Sequence, residues 1–205
     1  ILLLCVVAAC AQGHRTDDSG DRSSNDLDNI PQHPSSSVCN GGRWSCFARI
    51  QVDDGHRIKN FASPSGLSAG DLVSAYKLNT SLSPGATIAI VDAYNYPNAE
   101  SDLAKYRSQY GLPACTKSNG CLTIVNQNGQ TSPLPSNAPA GDDWTVAAAL
   151  DLDMASAACP SCKLLFVEAN DDQSDGLFIA QNAAAQLGAT VISNSWGGPE
   201  SASQD

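Results

Sequence analysis

From about residue 66 onward, short unbroken apolar runs alternate with longer segments in which apolar and polar residues are mixed. Unbroken runs of about five residues, rich in β-branched side chains, are typical of strands that are buried on both faces of a sheet. The runs that fit this description cover residues 87–91, 122–126, 163–167 and 190–194. They predict four strands.

Helix start and stop signals lie between these runs. Polar residues that can cap a helix precede each mixed segment, and a glycine follows the last one. The signals predict one helix after Ser68 over residues 69–76, one from Pro97-Asn98 to Tyr110, one capped by Asp142 or Asp143 over residues 144–158, and one from Asp175 to Leu187 that ends at Gly188.

The resulting order of strand, helix, strand, helix, strand, helix, strand predicts an α/β fold. Such alternation is typical of a parallel sheet with helices on both faces and right-handed crossovers. Functional sites in this architecture lie beyond the carboxyl ends of the strands. Asp92 follows the first predicted strand and Ser195-Trp196-Gly197-Gly198 follows the fourth, so these residues are candidates for a site.

The first residues of the chain have a different character. Residues 1–9 are apolar but too few to span a bilayer, and with the small residues that follow they predict an export signal over residues 1–11. Cys10 fits a bacterial lipobox, whereas Ala9-Cys10-Ala11 equally fits an ordinary cleavage site. Residues 12–65 are predicted to be a disordered tether to about residue 37, then a short pro-segment or a linker. Residues 66–205 are predicted to be the N-terminal part of a larger domain, cut short at its C-terminus.

Six of the eight cysteines form three close pairs along the chain. An even number of cysteines in short loops behind an export signal predicts structural disulfides in an oxidising compartment. A zinc site or a redox site is the alternative for the C-x-x-C pair, although no histidine lies near it in sequence. The predicted bridges are Cys39–Cys46, Cys115–Cys121 and Cys159–Cys162.

The net charge of -10 narrows the choice of partners. An acidic chain has few positive charges with which to neutralise phosphate groups, so we expect no nucleic acid partner. A membrane contact is expected only through a lipid anchor at Cys10. The charge is compatible with a soluble exported protein in the secreted, periplasmic or cell-surface space.

Ionisable residues at the predicted strand ends limit the chemistry. No histidine follows His56, so a Ser-His-Asp triad cannot form within residues 66–205. Asp92 is either a functional carboxylate at the sheet edge or a cap for the next turn. Asp151 and Asp153 lie about 200° apart on a helix and cannot face one site, and Asp151 alone could also be a solvated helix carboxylate.

Several separated motifs resemble, in order and spacing, those of the sedolisins, serine-carboxyl peptidases of the subtilisin-like superfamily. The resemblance covers roughly residues 66–200. It implies a subtilisin-like sheet and the cleavage of peptide bonds in acid. The motifs are residues 66–78, Ala89-Ile90-Val91-Asp92-Ala93-Tyr94, Tyr110-Gly111-Leu112-Pro113, Leu150-Asp151-Leu152-Asp153 and Ser193-Asn194-Ser195-Trp196-Gly197-Gly198.

The resemblance also implies roles for individual residues. In that family a Glu acts as base for a late serine, and an Asp one helical turn further on orients the Glu. Asp151 matches the orienting Asp, while Ala147 stands where the Glu is expected. Asp92 and Trp196 match outer positions of the same network. The serine, an Asp that serves the oxyanion and a structural Ca²⁺ would belong to a part beyond Asp205, and no cofactor is expected in residues 1–205.

Three functions follow from these observations. The first is a secreted sedolisin-type endopeptidase acting on polypeptides, of which residues 1–205 would be an inactive part. The second is a non-catalytic relative that binds a peptide or a protein partner, because alanine at position 147 cannot accept a proton. The third is an α/β-hydrolase, which Ser195 suggests but which the surrounding residues do not favour, since the first glycine of G-x-S-x-G is missing.

Overall fold

The computed structural model describes residues 34–39, 42–55, 58, 66–80 and 85–199. Strands and helices alternate through most of this length. The strands are β1 (Ser35–Ser37), β2 (Ser45–Cys46), β3 (Arg49–Gln51), β4 (Thr87–Ala93), β5 (Leu122–Asn126), β6 (Lys163–Ala169), β7 (Val191–Ser193) and β8 (Trp196–Gly197). The helices are α1 (Ala69–Tyr76), α2 (Ala99–Gln109), α3 (Trp144–Ala158) and α4 (Gly176–Gln186).

The predicted α/β architecture is confirmed. Strands β4 to β7 form one parallel sheet in the order β5-β6-β4-β7. β4 and β6 are longer than predicted and run in register to their last residues, so that Asp92 pairs with Glu168. Both strands continue beyond their apolar runs because helices still cover their last residues. The polar residues at these strand ends are therefore buried in the sheet.

Alternate residues of the central strands point to opposite helix layers. Ile90 and Phe166 pack in one cluster with Leu103 of α2 and Leu152 of α3. Leu177 of α4 belongs to the cluster on the other face. Strands covered on both faces are favoured when residues on both faces are apolar, which explains why the sequence runs are unbroken before Asp92 and Glu168.

The crossover connections do not all have the same hand. The β4–α2–β5 and β5–α3–β6 connections run in opposite directions along the sheet, yet α2 and α3 pack against each other on one face. The β6–α4–β7 connection runs in the same direction as β5–α3–β6 but on the other face. The β5–α3–β6 unit therefore differs in hand from both others. The expectation that all crossovers are right-handed is wrong, because units of opposite hand cannot all be right-handed.

The N-terminal segment, residues 34–39 and 42–55, packs onto the carboxyl edge of the sheet. β1 pairs antiparallel with β3, and β2 pairs antiparallel with β8. The predicted tether falls outside the described residues except for its last part, which forms β1. The segment's buried apolar residues join the core cluster that includes α4; they are Val38, Cys39, Trp44, Cys46, Ala48, Ile50 and Val52.

The three predicted local disulfides are confirmed. Cys39–Cys46, Cys115–Cys121 and Cys159–Cys162 are bonded, with Cα atoms 5.5, 4.9 and 5.4 Å apart. Cys10 and the predicted export signal lie outside the described residues. In the described part of the chain, no helix combines the length and apolar character needed to cross a membrane.

A buried arginine fastens α2 to the neighbouring loops. Arg107 is only 2 % exposed, and its guanidinium donates to the carbonyl oxygens of Pro113 and Pro160 and to the hydroxyl of Ser156 on α3. Burial lowers its pKa. A buried cation that donates from each of its three nitrogens to neutral oxygens holds these segments at fixed positions.

Replacing this arginine is expected to be costly. Arg107→Met keeps much of the side-chain length but leaves three acceptors without their donor, so we expect a loss of about 2–4 kcal/mol in the free energy of unfolding. Urea denaturation followed by circular dichroism measures it. Lys105→Met is the control, because the Lys105–Asp102 ion pair is exposed and its loss costs under about 1 kcal/mol. Equal losses in the two variants would contradict the assigned role of Arg107.

Candidate active site at the carboxyl edge of the sheet

Asp92 is a carboxylate buried at the end of an apolar strand. Its side chain is 0 % exposed, and neither carboxylate oxygen has a hydrogen-bond partner among the described residues. Burial, and next the charge of Asp151, raise its pKa well above the ordinary value. The neutral form of Asp92 is therefore strongly favoured, as expected for a carboxyl group without a donor in an apolar environment.

Asp151 approaches the same place from α3. The Ser195 hydroxyl lies near it, while its Oδ2 atom has no hydrogen-bond partner among the described residues. Burial raises the pKa of Asp151 to about 6, although the neighbouring Ser195 hydroxyl acts in the opposite direction. Asp92, Asp151 and Ser195 are thus brought together, each from a different part of the sequence.

Trp196 fixes the position of Ser195. The indole Nε1 of Trp196 donates to the backbone oxygen of Val91 over 2.9 Å, and Val91 directly precedes Asp92. Trp196 is 9 % exposed, so this hydrogen bond lies inside the protein. The bond ties the short strand β8, which Ser195 directly precedes, to the end of β4.

Position 147 offers no acid or base. Ala147 lies one helical turn before Asp151 and is 1 % exposed within the core cluster that contains Trp196. Asp143, a further turn away, occupies the N-cap position of α3 without a side-chain capping bond, and its carboxylate instead accepts from the Thr145 hydroxyl. Neither position 147 nor Asp143 therefore adds a carboxyl group to the pair of Asp92 and Asp151.

Asp153 lies in different surroundings from Asp151, as the helical spacing predicts. Burial and the charge of Asp102 on α2 raise the pKa of Asp153 to about 8. The charge of Asp153 in turn adds to the burial that raises the pKa of Tyr106. Asp153 therefore belongs to the contact between α2 and α3 and not to the Asp92–Asp151 pair.

Glu168 is a further buried carboxyl group that sequence reasoning missed. Its Oε1 atom accepts the backbone N–H of Tyr96 over 2.8 Å, and Oε2 has no partner among the described residues. Burial raises its pKa to about 7. The sequence signal for this residue is a glutamate within an otherwise apolar strand. It was missed because the predicted strand ended one residue before Glu168.

Asp172 holds the loops around the site together. Its carboxylate accepts from the Tyr94 hydroxyl over 2.8 Å and from the Trp144 indole over 3.3 Å. Tyr94 adopts a left-handed backbone with φ of 68°, which is unusual for a large side chain and is maintained by this contact. Asp172 thus connects the turn after Asp92 with the start of α3.

The arrangement provides proton exchange and hydrogen bonding. Asp92 and Asp151 are near enough for their charges to interact, and the Ser195 hydroxyl lies near Asp151. Among the described residues, no three side chains of the metal-ligating types converge so as to hold an ion. Two interacting carboxyl groups titrate as a pair, so ionisation of Asp151 further disfavours ionisation of Asp92.

A scan against known protein families and a search of curated proteins both end without a match for this chain.

The raised carboxyl pKa values predict how stability depends on pH. A carboxyl group whose pKa is higher in the folded than in the unfolded protein lowers the stability of the fold once it ionises. For Asp151 this loss of stability begins above pH 3.8 and is complete above about pH 6. Asp151→Asn removes it. We therefore expect the free energy of unfolding of the variant, minus that of wild type, to be about 1–3 kcal/mol greater at pH 7 than at pH 4.

Unfolding in urea at pH 4, 5, 6 and 7 measures this difference. Glu100→Gln is the control of opposite sign, because the Lys117 backbone N–H lowers the pKa of Glu100 and its ionised form stabilises the fold. That variant should lose stability, relative to wild type, as pH rises. A pH-independent effect of Asp151→Asn would show that Asp151 is not buried as described.

Proposed function

We propose that this chain is the N-terminal part of a sedolisin-type serine endopeptidase, which cleaves polypeptides at acidic pH. The observation that carries the proposal is the meeting of Asp151 with Ser195 and the buried Asp92 at the carboxyl edge of a parallel sheet. Each of these residues lies in a motif that resembles the family. The carboxyl edge is where α/β sheets carry their sites.

In this proposal Asp151 is the orienting carboxyl group and Asp92 supports it. A carboxyl group with a pKa of about 6 keeps its proton in mild acid. It can then donate a hydrogen bond to a neighbouring acidic side chain or accept one from it. Trp196 holds the loop that carries Ser195. The nucleophilic serine and the oxyanion group would come from residues beyond Asp205.

Ala147 favours a second candidate function. A methyl group at the place of the general base cannot take a proton from a serine, and loss of one member of an interdependent catalytic unit costs on the order of 10⁴ to 10⁶ in rate. The chain would then be a catalytically inactive relative that binds a peptide or a protein through the same edge. No role for nucleic acid is proposed, given the acidic composition.

Export belongs to the same proposal. The three disulfides indicate an oxidising environment. We extend this to a secreted, periplasmic or cell-surface protein, with either a free mature N-terminus or a lipid anchor at Cys10. Acyl labelling that is lost in Cys10→Ser would support the anchor, and a mature N-terminus at Gln12 would exclude it.

Restoring the missing carboxyl group tests the two functions. In the full-length protein, Ala147→Glu places a base one helical turn from Asp151, so we expect peptide cleavage at pH 3–6 to rise by several orders of magnitude. Initial rates on a fluorogenic peptide library measure it. Ala147→Gln is the matched control, because it has the same size and the same burial cost but no acid–base function.

Three results are informative. A gain with Glu but not with Gln supports the peptidase ancestry and locates the active helix. Robust cleavage by the wild type with no gain in Ala147→Glu would sink the assignment of Asp151 and mean that another group acts as base. No cleavage by any variant, with all three folded by circular dichroism, would favour the non-catalytic relative.

A further inference from the structure

Two Asn-Gly dipeptides within the described residues share the same backbone setting. Asn119-Gly120 lies in the loop before β5, and Asn128-Gly129 lies in the turn after it. Both asparagines are exposed, and both glycines adopt a left-handed backbone, with φ of 73° at Gly120 and 76° at Gly129. Each glycine N–H donates to the carbonyl oxygen three residues earlier, over 3.2 and 2.9 Å respectively. The main chain therefore gives no reason for the two dipeptides to react differently.

The side-chain amide of Asn119 is fully engaged by its own loop. Its Oδ1 atom accepts the backbone N–H groups of Thr116 and Cys121, each over 3.0 Å, and its Nδ2 atom donates to the Ala114 carbonyl over 3.0 Å. The disulfide between Cys115 and Cys121 closes the same loop. Turning this amide toward the next residue would therefore break three hydrogen bonds inside a cross-linked segment.

The side-chain amide of Asn128 has no hydrogen-bond partner among the described residues. The backbone N–H of Asn128 is bonded, since it donates to the Oδ1 atom of Asn126 over 3.0 Å. The same oxygen accepts the backbone N–H of Gln130, also over 3.0 Å. The turn is thus organised by the side chain of Asn126, while the amide of Asn128 stays exposed and able to rotate.

An asparagine amide that can rotate onto the following backbone nitrogen is able to react with it. The Gly129 nitrogen, after losing its proton to hydroxide, forms a bond to Cγ of Asn128. The bond between Cγ and Nδ2 then breaks, and the nitrogen leaves as ammonia with a proton taken from water. Water opens the resulting succinimide at either carbonyl carbon, which gives aspartate or isoaspartate. The following glycine favours this reaction because it has no Cβ to obstruct the ring.

From this comparison we infer that Asn128 is a site of spontaneous covalent modification, at which the chain converts to aspartate and isoaspartate, and that the loop around Asn119 protects the other dipeptide. The reactants are the main chain itself and water, so no cofactor or partner is needed. The inference does not depend on the proposed function.

The isoaspartate product also unties the turn at the carboxyl edge of the sheet. It lengthens the main chain after residue 128 by one carbon atom, so the Oδ1 atom of Asn126 can no longer accept both of its N–H groups. The turn is connected to the next strand, because Oε1 of Gln127 accepts the backbone N–H of Asn170, directly after β6, over 2.9 Å. The modification therefore loosens a turn that contacts the end of β6.

The test is peptide mapping of the full-length, disulfide-intact protein during weeks in mildly alkaline buffer at body temperature. Mass spectrometry measures conversion at each asparagine, and electron-transfer fragmentation identifies isoaspartate. Because reaction at Asn119 must first break three hydrogen bonds, we expect Asn128 to convert roughly tenfold to a hundredfold faster. A third dipeptide, Asn40-Gly41, lies outside the described residues and is quantified separately.

Guanidinium chloride with a reductant supplies the matched control, because it removes the structure and keeps both local sequences. We expect the rates at Asn119 and Asn128 to converge under these conditions. Equal rates in the folded protein would overturn the inference. A difference that persists unchanged in the denatured chain would do the same, because it would come from the neighbouring residues and not from the fold.

Hydrogen exchange tests the effect on the turn. The isoaspartate and aspartate forms are separated by chromatography, and amide exchange at Gln130 is compared between them. The aspartate form is the matched control, because it carries the same new charge on a main chain of unchanged length. We expect faster exchange in the isoaspartate form, and equal exchange in the two forms would overturn the loss of the turn.

Discussion

The burial of Asp92 without a hydrogen-bond donor is the constraint on which the site depends. Transferring an ionised carboxylate into an apolar interior is so costly that the group keeps its proton instead. The strand that carries Asp92 is otherwise apolar, and it remains in place because the core contacts of its other residues outweigh this one cost. Polar groups that break the local rules of packing in this way are most often found at functional positions.

The surroundings of Asp92 are organised by hydrogen bonds to backbone atoms. Trp196 bonds the carbonyl of Val91 just before Asp92, and Glu168 bonds the N–H of Tyr96 shortly after it. Tyr94, between them, is held by Asp172. The chain on both sides of Asp92 is therefore fixed by side chains from β6, β8 and the loop after β6, which allows a carboxyl group to stay in position without bonds of its own.

Much of the fold could be predicted from local patterns. The strands were recognisable because a sheet covered on both faces requires unbroken apolar runs, and the disulfides because each closes a short loop. The separation of Asp151 from Asp153 followed from helix geometry alone. Glu168 was missed because an apolar run cannot show how far a strand continues once its residues become polar.

Other features could not be predicted because they arise from tertiary contacts. The hand of the β5–α3–β6 unit depends on which face α3 covers, and the local sequence patterns did not predict this face. The pairing of β2 with β8 joins two strands of two residues each, too short to produce any periodicity. Position 147 was singled out only by the resemblance to the sedolisins, and the structure adds that the alanine there is enclosed by the core.

The docking of Trp44 has a consequence for the order in which the molecule forms. Its indole bonds a residue 130 positions further along the chain, so the two partners are among the most distant in the described sequence. Such long-range contacts form late, because the entropy of closing the loop must be overcome before they contribute any energy. During synthesis the N-terminal strand emerges first, yet its binding edge does not exist until β8 has been made. Closure of this edge therefore follows the synthesis of β8, and until then Trp44 has no partner in β8.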